Sequence, residues 1–205
     1  MVEAMTKIKA VLFDFGGVLA EEGFRGGLAA LAAQQQLDPA VVSRSGHELV
    51  HETGYVTGQG SESEFWRLMR ERTGLKGSDR ELSAVILGCF VLRPAMMEFA
   101  RLLRRQGFIT AILSDQTDWL ERLDQRDGVF REFDRVFNSY RLGKTKRDPL
   151  LFDEVAQELG IASSEALFID DTPGHVNRAE SRGMRGILFE NEALCLRKAQ
   201  EILGI

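Results

Sequence analysis

The stretch VLFDFGGVL, Val11 to Leu19, decides how this chain is read. A short run rich in branched apolar residues, Ile8 to Phe13, ends on Asp14, and the pair Gly16-Gly17 follows. Such a run predicts a buried strand that stops in a tight loop. The pattern recurs outward along the chain. Phe108 to Leu113 stops at Ser114-Asp115, Ala166 to Ile169 stops at Asp170-Asp171, and Gly186 to Phe189 stops at Glu190-Asn191. Arg135 to Asn138 is a weaker strand candidate.

Helical segments separate these runs. Pro94 to Gln106 opens on a proline, closes before Gly107 and carries Met97, Leu102 and Leu103. Asp148 reads as an N-cap with Pro149 as the first helical residue, and Gly160 closes the helix that follows. Val176 to Arg182 is a short helix closed by Gly183. Helices ending in glycine before an apolar strand predict βαβ units, hence an α/β fold with a doubly wound parallel sheet covered on both faces. The segment from Glu21 to Leu92 has no strand run, only apolar residues at helical spacing punctuated by glycines. It reads as a small α-helical cap inserted after the first strand. Residues 1–20 and 93–205 then form the core domain, and residues 21–92 the cap.

In open parallel sheets, ligands bind beyond the carboxyl ends of the strands. Asp14, Ser114 and the pair Asp170-Asp171 each follow a strand run, so a parallel sheet brings them to one edge. One acidic residue after a strand is an ordinary turn former. Three such strand ends together indicate a site. Gathered carboxylates repel unless a cation offsets them, and oxygen-only ligands favour a hard ion such as Mg²⁺. A hydroxyl from Ser114 and an ammonium from Lys144 or Lys146 complete a set able to hold a phosphoryl group, which a carboxylate can attack.

Four segments in order resemble the motifs of the haloacid dehalogenase-like superfamily. VLFDFGGVL (Val11 to Leu19) is similar to the first motif in the branch with an FDxGGVL signature, and AILSD (Ala111 to Asp115) is similar to the second. GKTKRDP (Gly143 to Pro149) resembles the third, and LFIDDTPGHVNRAESRGMRGILF (Leu167 to Phe189) the fourth. The resemblance spans the core; the cap matches only as a helical insertion. It implies Asp14 as nucleophile and metal ligand, the Gly16 carbonyl as a further ligand, and Ser114 as a phosphoryl-binding hydroxyl. Lys146 aligns with the motif lysine, Lys144 being its rival. Asp171 is then a Mg²⁺ ligand, with Asp170 supporting the metal site. Asp115 and Gly16 fall on the substrate side, and the implied partner is a small phosphorylated metabolite.

Three positions depart from the family pattern. Many phosphatases of the superfamily carry a second aspartate two residues after the nucleophile, as general acid and base; this chain has Gly16 there. Loss of a general acid costs about 10²–10⁴ in rate. Asp115 replaces an expected asparagine, and Arg147 an expected proline. Glu21 and Glu22 fall where the superfamily has a flap over the site; either can serve as a surrogate acid, and an exposed linker is the plainer reading of both. His175 reads as a solvated histidine at a helix start, and Trp66 with Phe65 as cap core.

The bulk numbers agree with an enzyme core. The chain has 205 residues, 44% hydrophobic and 28% charged, with a formal net charge of −5. That balance excludes a disordered chain and offers no nucleic-acid groove. Cys89 and Cys195, far apart and without a CxxC, predict reduced thiols rather than zinc or a disulfide framework. No membrane span or signal peptide is expected, so the expected location is cytoplasmic. The expected activity is phosphate-ester hydrolysis through an aspartyl-phosphate. Two alternatives share the fold: a dehalogenase-type attack on carbon, and a binding or regulatory protein with weakened turnover, which Gly16 and Asp115 favour.

Overall fold

The computed structural model describes residues 7–205; residues 1–6, which the sequence reading assigns to the core, lie outside them. Five strands form one parallel sheet: β1 (Ala10–Phe13), β2 (Ile109–Ser114), β3 (Arg135–Asn138), β4 (Ala166–Asp170) and β5 (Arg185–Leu188). Their spatial order is β3-β2-β1-β4-β5. Successive side chains point to opposite faces of a strand. Val11 and Phe13 therefore enter one apolar cluster while Leu12 enters the other. All four residues of β1 are buried, as a central strand covered on both faces requires.

The chain winds from β1 outward through β2 to β3, then returns to lay β4 on the other side of β1. The order reverses between β1 and β4, which is where open α/β sheets form their ligand crevice. The register aligns Phe13 with both Ile112 and Ile169. Asp14, Ser114 and Asp170 thus emerge at one edge, at the middle of the sheet.

Between β1 and α5 (Pro94–Arg105) the chain forms α1 (Gly23–Gln34), α2 (Pro39–Glu52), α3 (Glu62–Thr73) and α4 (Asp79–Gly88), with one short 3-10 turn at Tyr55–Thr57. These helices are the cap. Their starts carry standard donors' partners: Asp38 before Pro39, Ser61, and a capping box of Ser78 with Glu81. Leaving and returning chains run side by side, with Arg93 N–H donating to the Leu19 carbonyl at 2.8 Å and Glu21 N–H to Val91 at 2.8 Å.

The core continues through α6 (Trp119–Asp127), α7 (Ser139–Leu142), α8 (Leu150–Glu158), α9 (Pro173–Ser181) and α10 (Glu192–Leu203). Residues of α5 and α10 pack on one face of the sheet, and those of α8 and α9 on the other. Helix α9 starts three residues before the expected Val176, because Pro173 at its first turn is already set for helical φ. Helix α8 starts at Leu150 rather than Pro149, although the Asp148 carboxylate still accepts from Leu150 N–H at 3.0 Å.

The cap is keyed to the core by Trp119. This residue is fully buried, and its ring lies 5.7 Å from Tyr55, 6.1 Å from Phe65 and 6.0 Å from Trp66. Its indole N–H donates to Glu62 at 2.7 Å, as does Arg122 at 2.7 Å, and the Ser83 hydroxyl donates to the same oxygen. Phe65 and Trp66 are thus cap core, as the sequence predicts. Truncating a buried aromatic of this kind costs about 3–5 kcal/mol. No helix among the described residues is long and apolar enough to cross a membrane.

Candidate active site

Asp14 is the first residue beyond β1, and only 8% of it is exposed. Its N–H donates to the Ile169 carbonyl at 2.9 Å, and its Oδ1 accepts from Phe15 N–H at 2.7 Å. One strand away, Asp170 ends β4 and is fully buried. Between them lies the ammonium of Lys146, 2.9 Å from Asp14 Oδ1 and 2.6 Å from Asp170 Oδ2. Lys146 is itself buried. A buried lysine in this position answers the rule that buried charge must be paired.

The loop holding Lys146 is fixed by Asp115. Both oxygens of that carboxylate accept the Lys146 backbone N–H, at 2.9 and 3.1 Å. Asp115 lines the cavity, yet it is engaged in positioning the lysine loop. Lys144 lies elsewhere: exposed, and paired with Glu154. Asp170 gains further partners in Thr172 N–H at 2.7 Å and the His175 Nδ1 at 3.2 Å. His175 is half-buried between Asp170 and Asp115, 4.0 Å from the latter, which corrects the expectation of a solvated histidine. Helix α9 starts at Pro173, so residue 175 lies in its first turn and faces the strand end.

Asp171 is half-buried beside this group, and its Oδ1 accepts from the Thr172 hydroxyl at 3.2 Å. It leans on the glycine loop after β1. A Cβ on Gly17 would fall 2.3 Å from Asp171 Oδ2, and Gly17 has φ of +87°, which favours glycine. Carboxylate oxygens of Asp14, Asp170 and Asp171 all lie within 4.8 Å of one another.

The electrostatics follow from this geometry. Burial, with like charges on Asp170 and Asp171, pushes the Asp14 carboxyl up against the opposing pull of Lys146. Burial would also raise Asp170, but Lys146 and His175 overturn it and hold that carboxyl below the usual range. Asp171 is pushed up by burial and by Asp170. Burial would lower Lys146, yet the charges on Asp14, Asp170 and Asp115 raise it, so it stays cationic. Three carboxylates against one ammonium leave surplus negative charge in a largely buried cluster. That surplus, with an all-oxygen donor set, fits a hard divalent cation.

A cavity of about 290 Å³ opens above this floor. Asp14, Gly16, Ser114, Asp115, Lys146 and Asp171 line its base. Its roof comes from the cap: Glu22, Phe24 and Arg25 from the start of α1, His47, Val50 and His51 from α2, and Val56. All three histidines of the chain line this one cavity. The sequence reading did not single out His47 and His51. Their spacing of four on one helix was the available signal, since such residues share a face.

A doubly wound parallel sheet with aspartates and a lysine gathered at its switch point, roofed by an inserted helical cap, defines a Rossmann-like α/β protein with a candidate site at the carboxyl ends of its strands. A model of the haloacid dehalogenase-like hydrolase family matches residues 8–176, and the chain belongs to that family. Among curated relatives, bifunctional epoxide hydrolase 2 of Mus musculus is 28% identical over 116 residues, 53% of this chain and 21% of that protein. Flavin mononucleotide hydrolase 1 of Arabidopsis thaliana is 32% identical over 110 residues, 54% of this chain and 44% of that protein. The match thus spans less than half the length of either relative. A haloacid dehalogenase family enzyme of Bacteroides thetaiotaomicron, solved with magnesium and inorganic phosphate, has the same fold. Its TM-score is 0.72 at 22% identity, covering 93% of this chain and 100% of that one. An L-2-haloacid dehalogenase shares the fold too, with TM-score 0.66 at 20% identity over 88% of this chain and 86% of that chain.

Proposed function

We propose that this hydrolase is a Mg²⁺-dependent phosphatase that acts on a small phosphorylated metabolite through an aspartyl-phosphate on Asp14. The observation that carries the reading is the buried Lys146 ammonium lying on both Asp14 and Asp170, beside Asp171, at the floor of the cavity. Asp14, Asp171 and the Gly16 carbonyl would hold the metal, with Asp170 supporting the site from beneath. When bound, Mg²⁺ offsets the negative charge of the phosphoryl oxygens and of the carboxylates.

The chain's own residues then act as follows. The Asp14 carboxylate oxygen forms a bond to phosphorus as the bond to the leaving oxygen breaks. Lys146 keeps Asp14 oriented and offsets the charge that spreads over the phosphoryl oxygens in a loose transition state. The Ser114 hydroxyl, buried at the end of β2 and facing the cavity, donates to one of those oxygens. Asp115 holds the Lys146 loop in place from the substrate side. The cap walls the cavity with Phe24, Val50 and Val56 and limits the access of bulk solvent to the phosphoryl group. Among the described residues we assign 7–20 and 93–205 to the core and 21–92 to the cap, a division supported by the paired chains at Leu19–Arg93 and Glu21–Val91.

The carboxylate cluster of Asp14, Asp170 and Asp171 supports this reading over attack on carbon, which requires no metal, and a neighbour of the same fold solved with magnesium and inorganic phosphate is in keeping with it. The test is phosphate release from a panel of phosphorylated metabolites, with Mg²⁺ and with EDTA, in wild type and Asp14→Asn. Mg²⁺-dependent release that vanishes in Asp14→Asn is expected. Metal-independent release, or activity retained in Asp14→Asn, overturns the mechanism; halide release from 2-haloacids assayed alongside, without phosphate release from the panel, selects the carbon reaction.

A further inference from the structure

Gly16 stands where a second motif carboxylate would protonate the leaving oxygen, so the proton must come from elsewhere in the cavity. Most titratable groups there are already committed. Asp14 is bonded by Lys146 and Phe15 N–H, and Asp115 spends both oxygens on the Lys146 backbone. Asp171 belongs to the metal-side cluster, and His175 rests on Asp170. His51 is pushed down by burial and by Arg147, leaving it neutral near pH 7 and poorly suited to donate. His47 is exposed, its Nδ1 2.8 Å from the Ser43 carbonyl and its ring edge-on to Phe24.

Glu22 remains. It follows a turn that doubles the chain back toward the site, with Gly17 N–H donating to Ala20 at 2.8 Å and Ala20 N–H to Phe15 at 2.9 Å. Its Oε2 caps α1 by accepting Arg25 N–H at 2.8 Å, which holds the carboxyl in one orientation. No hydrogen bond or ion pair engages its Oε1 among the described residues. Glu22 Oε2 also lies 3.7 Å from the Arg25 Nε, whereas the neighbouring Glu21 is 56% exposed at its side chain against 30% for Glu22, pairs with Arg93, and does not line the cavity.

Resting on the phosphatase reading, we propose that Glu22 is the general acid and base of the reaction, supplied by the cap entrance in place of the missing first-motif carboxylate. As the Asp14–phosphorus bond forms and the ester bond breaks, the Glu22 carboxyl gives its proton to the departing alkoxide. The resulting carboxylate then takes a proton from the water that attacks the aspartyl-phosphate, which releases inorganic phosphate and restores both residues. Burial raises the Glu22 carboxyl against the opposing effects of Arg25 and His47, with Asp171 adding to the rise. A raised carboxyl keeps more of its proton near neutral pH, as an acid catalyst needs.

The test compares β-glycerol phosphate, a poor leaving group, with p-nitrophenyl phosphate, a good one, in wild type, Glu22→Gln and Glu22→Asp. Glutamine keeps an oxygen that can cap α1 but has no proton to transfer. In Glu22→Gln, kcat on β-glycerol phosphate should fall by about 10²-fold or more. With p-nitrophenyl phosphate the same variant should show a burst of p-nitrophenol, then slow turnover, with phosphate trapped on Asp14 after acid quench. Glu22→Asp should recover part of the alkyl-ester rate. Equal losses on both substrates without a burst, or no loss at all, overturn the assignment, and His47→Gln reproducing the burst transfers it to His47. If wild type with Mg²⁺ releases phosphate from neither ester nor from any member of the metabolite panel, the phosphatase reading fails and this assignment with it.

Discussion

Lys146→Met and Asp14→Asn each remove one charge from the same buried cluster, and they should move stability in opposite directions. The ammonium lies 2.9 Å from Asp14 and 2.6 Å from Asp170. At an effective dielectric near 20, each contact is worth about 6 kcal/mol before desolvation. The three carboxylates lie within 4.8 Å of one another, so each pair repels by about 3.5 kcal/mol or more on the same scale. Without Lys146 those repulsions stand alone, and proton uptake relieves only part of them. Breaking a buried pair in this way costs about 3–5 kcal/mol net. For a chain of this size that is a fall in Tm of roughly 6–20 °C.

Asp14→Asn is different. It forfeits one Lys146 contact, but it also removes two repulsions and the cost of burying a charge, while Asp170 still pairs with the lysine. The Coulomb contributions nearly cancel, and with the burial cost also removed they leave a gain of at least about 1 kcal/mol, or roughly 2–4 °C or more in Tm. The gain depends on pH. The Asp14 carboxyl is raised on folding, so its contribution is most favourable while it is protonated and is lost as pH rises through its folded value. The asparagine advantage should therefore be present at pH 7 and shrink toward pH 4. Differential scanning calorimetry in EDTA reads both variants. Added Mg²⁺ should raise wild-type Tm more than that of Asp14→Asn, because the proposed metal site loses a carboxylate in the variant. A destabilised Asp14→Asn, matching Lys146→Met in EDTA, would refute the charge reasoning.

Three further outcomes follow from single contacts. Gly17→Ala should weaken Mg²⁺ binding by calorimetry and cost about 1–2 kcal/mol, since its φ is +87° and its Cβ would strike Asp171 Oδ2. Glu62→Ala should cost about 3 kcal/mol in urea unfolding by removing the bonds from Trp119, Arg122 and Ser83. Burial pushes Glu62 up, but those donors hold it below its ordinary value, so its contribution is present above the carboxylate range and the deficit should narrow as pH falls through it. Cys195, whose thiol burial pushes up to about 12, should resist iodoacetamide at pH 8 until guanidinium unfolds the chain; peptide mass mapping reads the label.

The strands and their ends were legible in the linear chain because the signals are local. A branched apolar run reports burial on two faces, and an acidic or glycine residue after it reports a turn. That is why Asp14, Ser114 and Asp170-Asp171 could be placed at strand ends before any contact was known. The strand-free stretch after β1 likewise announced a helical insertion, and Phe65 and Trp66 read as its core. Other features had no local signal. Lys144 and Lys146 share one short segment, and only the register of β1 beside β4 puts two aspartates against one of them and leaves the other exposed. Glu21 and Glu22 are adjacent too, and the turn from Phe15 to Ala20 decides which of them faces the cavity. His175 became half-buried because α9 begins earlier than its apolar spacing suggests. His47, His51 and the docking of Trp119 depend on how the cap sits over the core. Periodicity and turn chemistry act over a few residues, whereas the partners of the buried Lys146 lie 24 residues away at Asp170 and 132 away at Asp14, brought together only when the sheet is assembled.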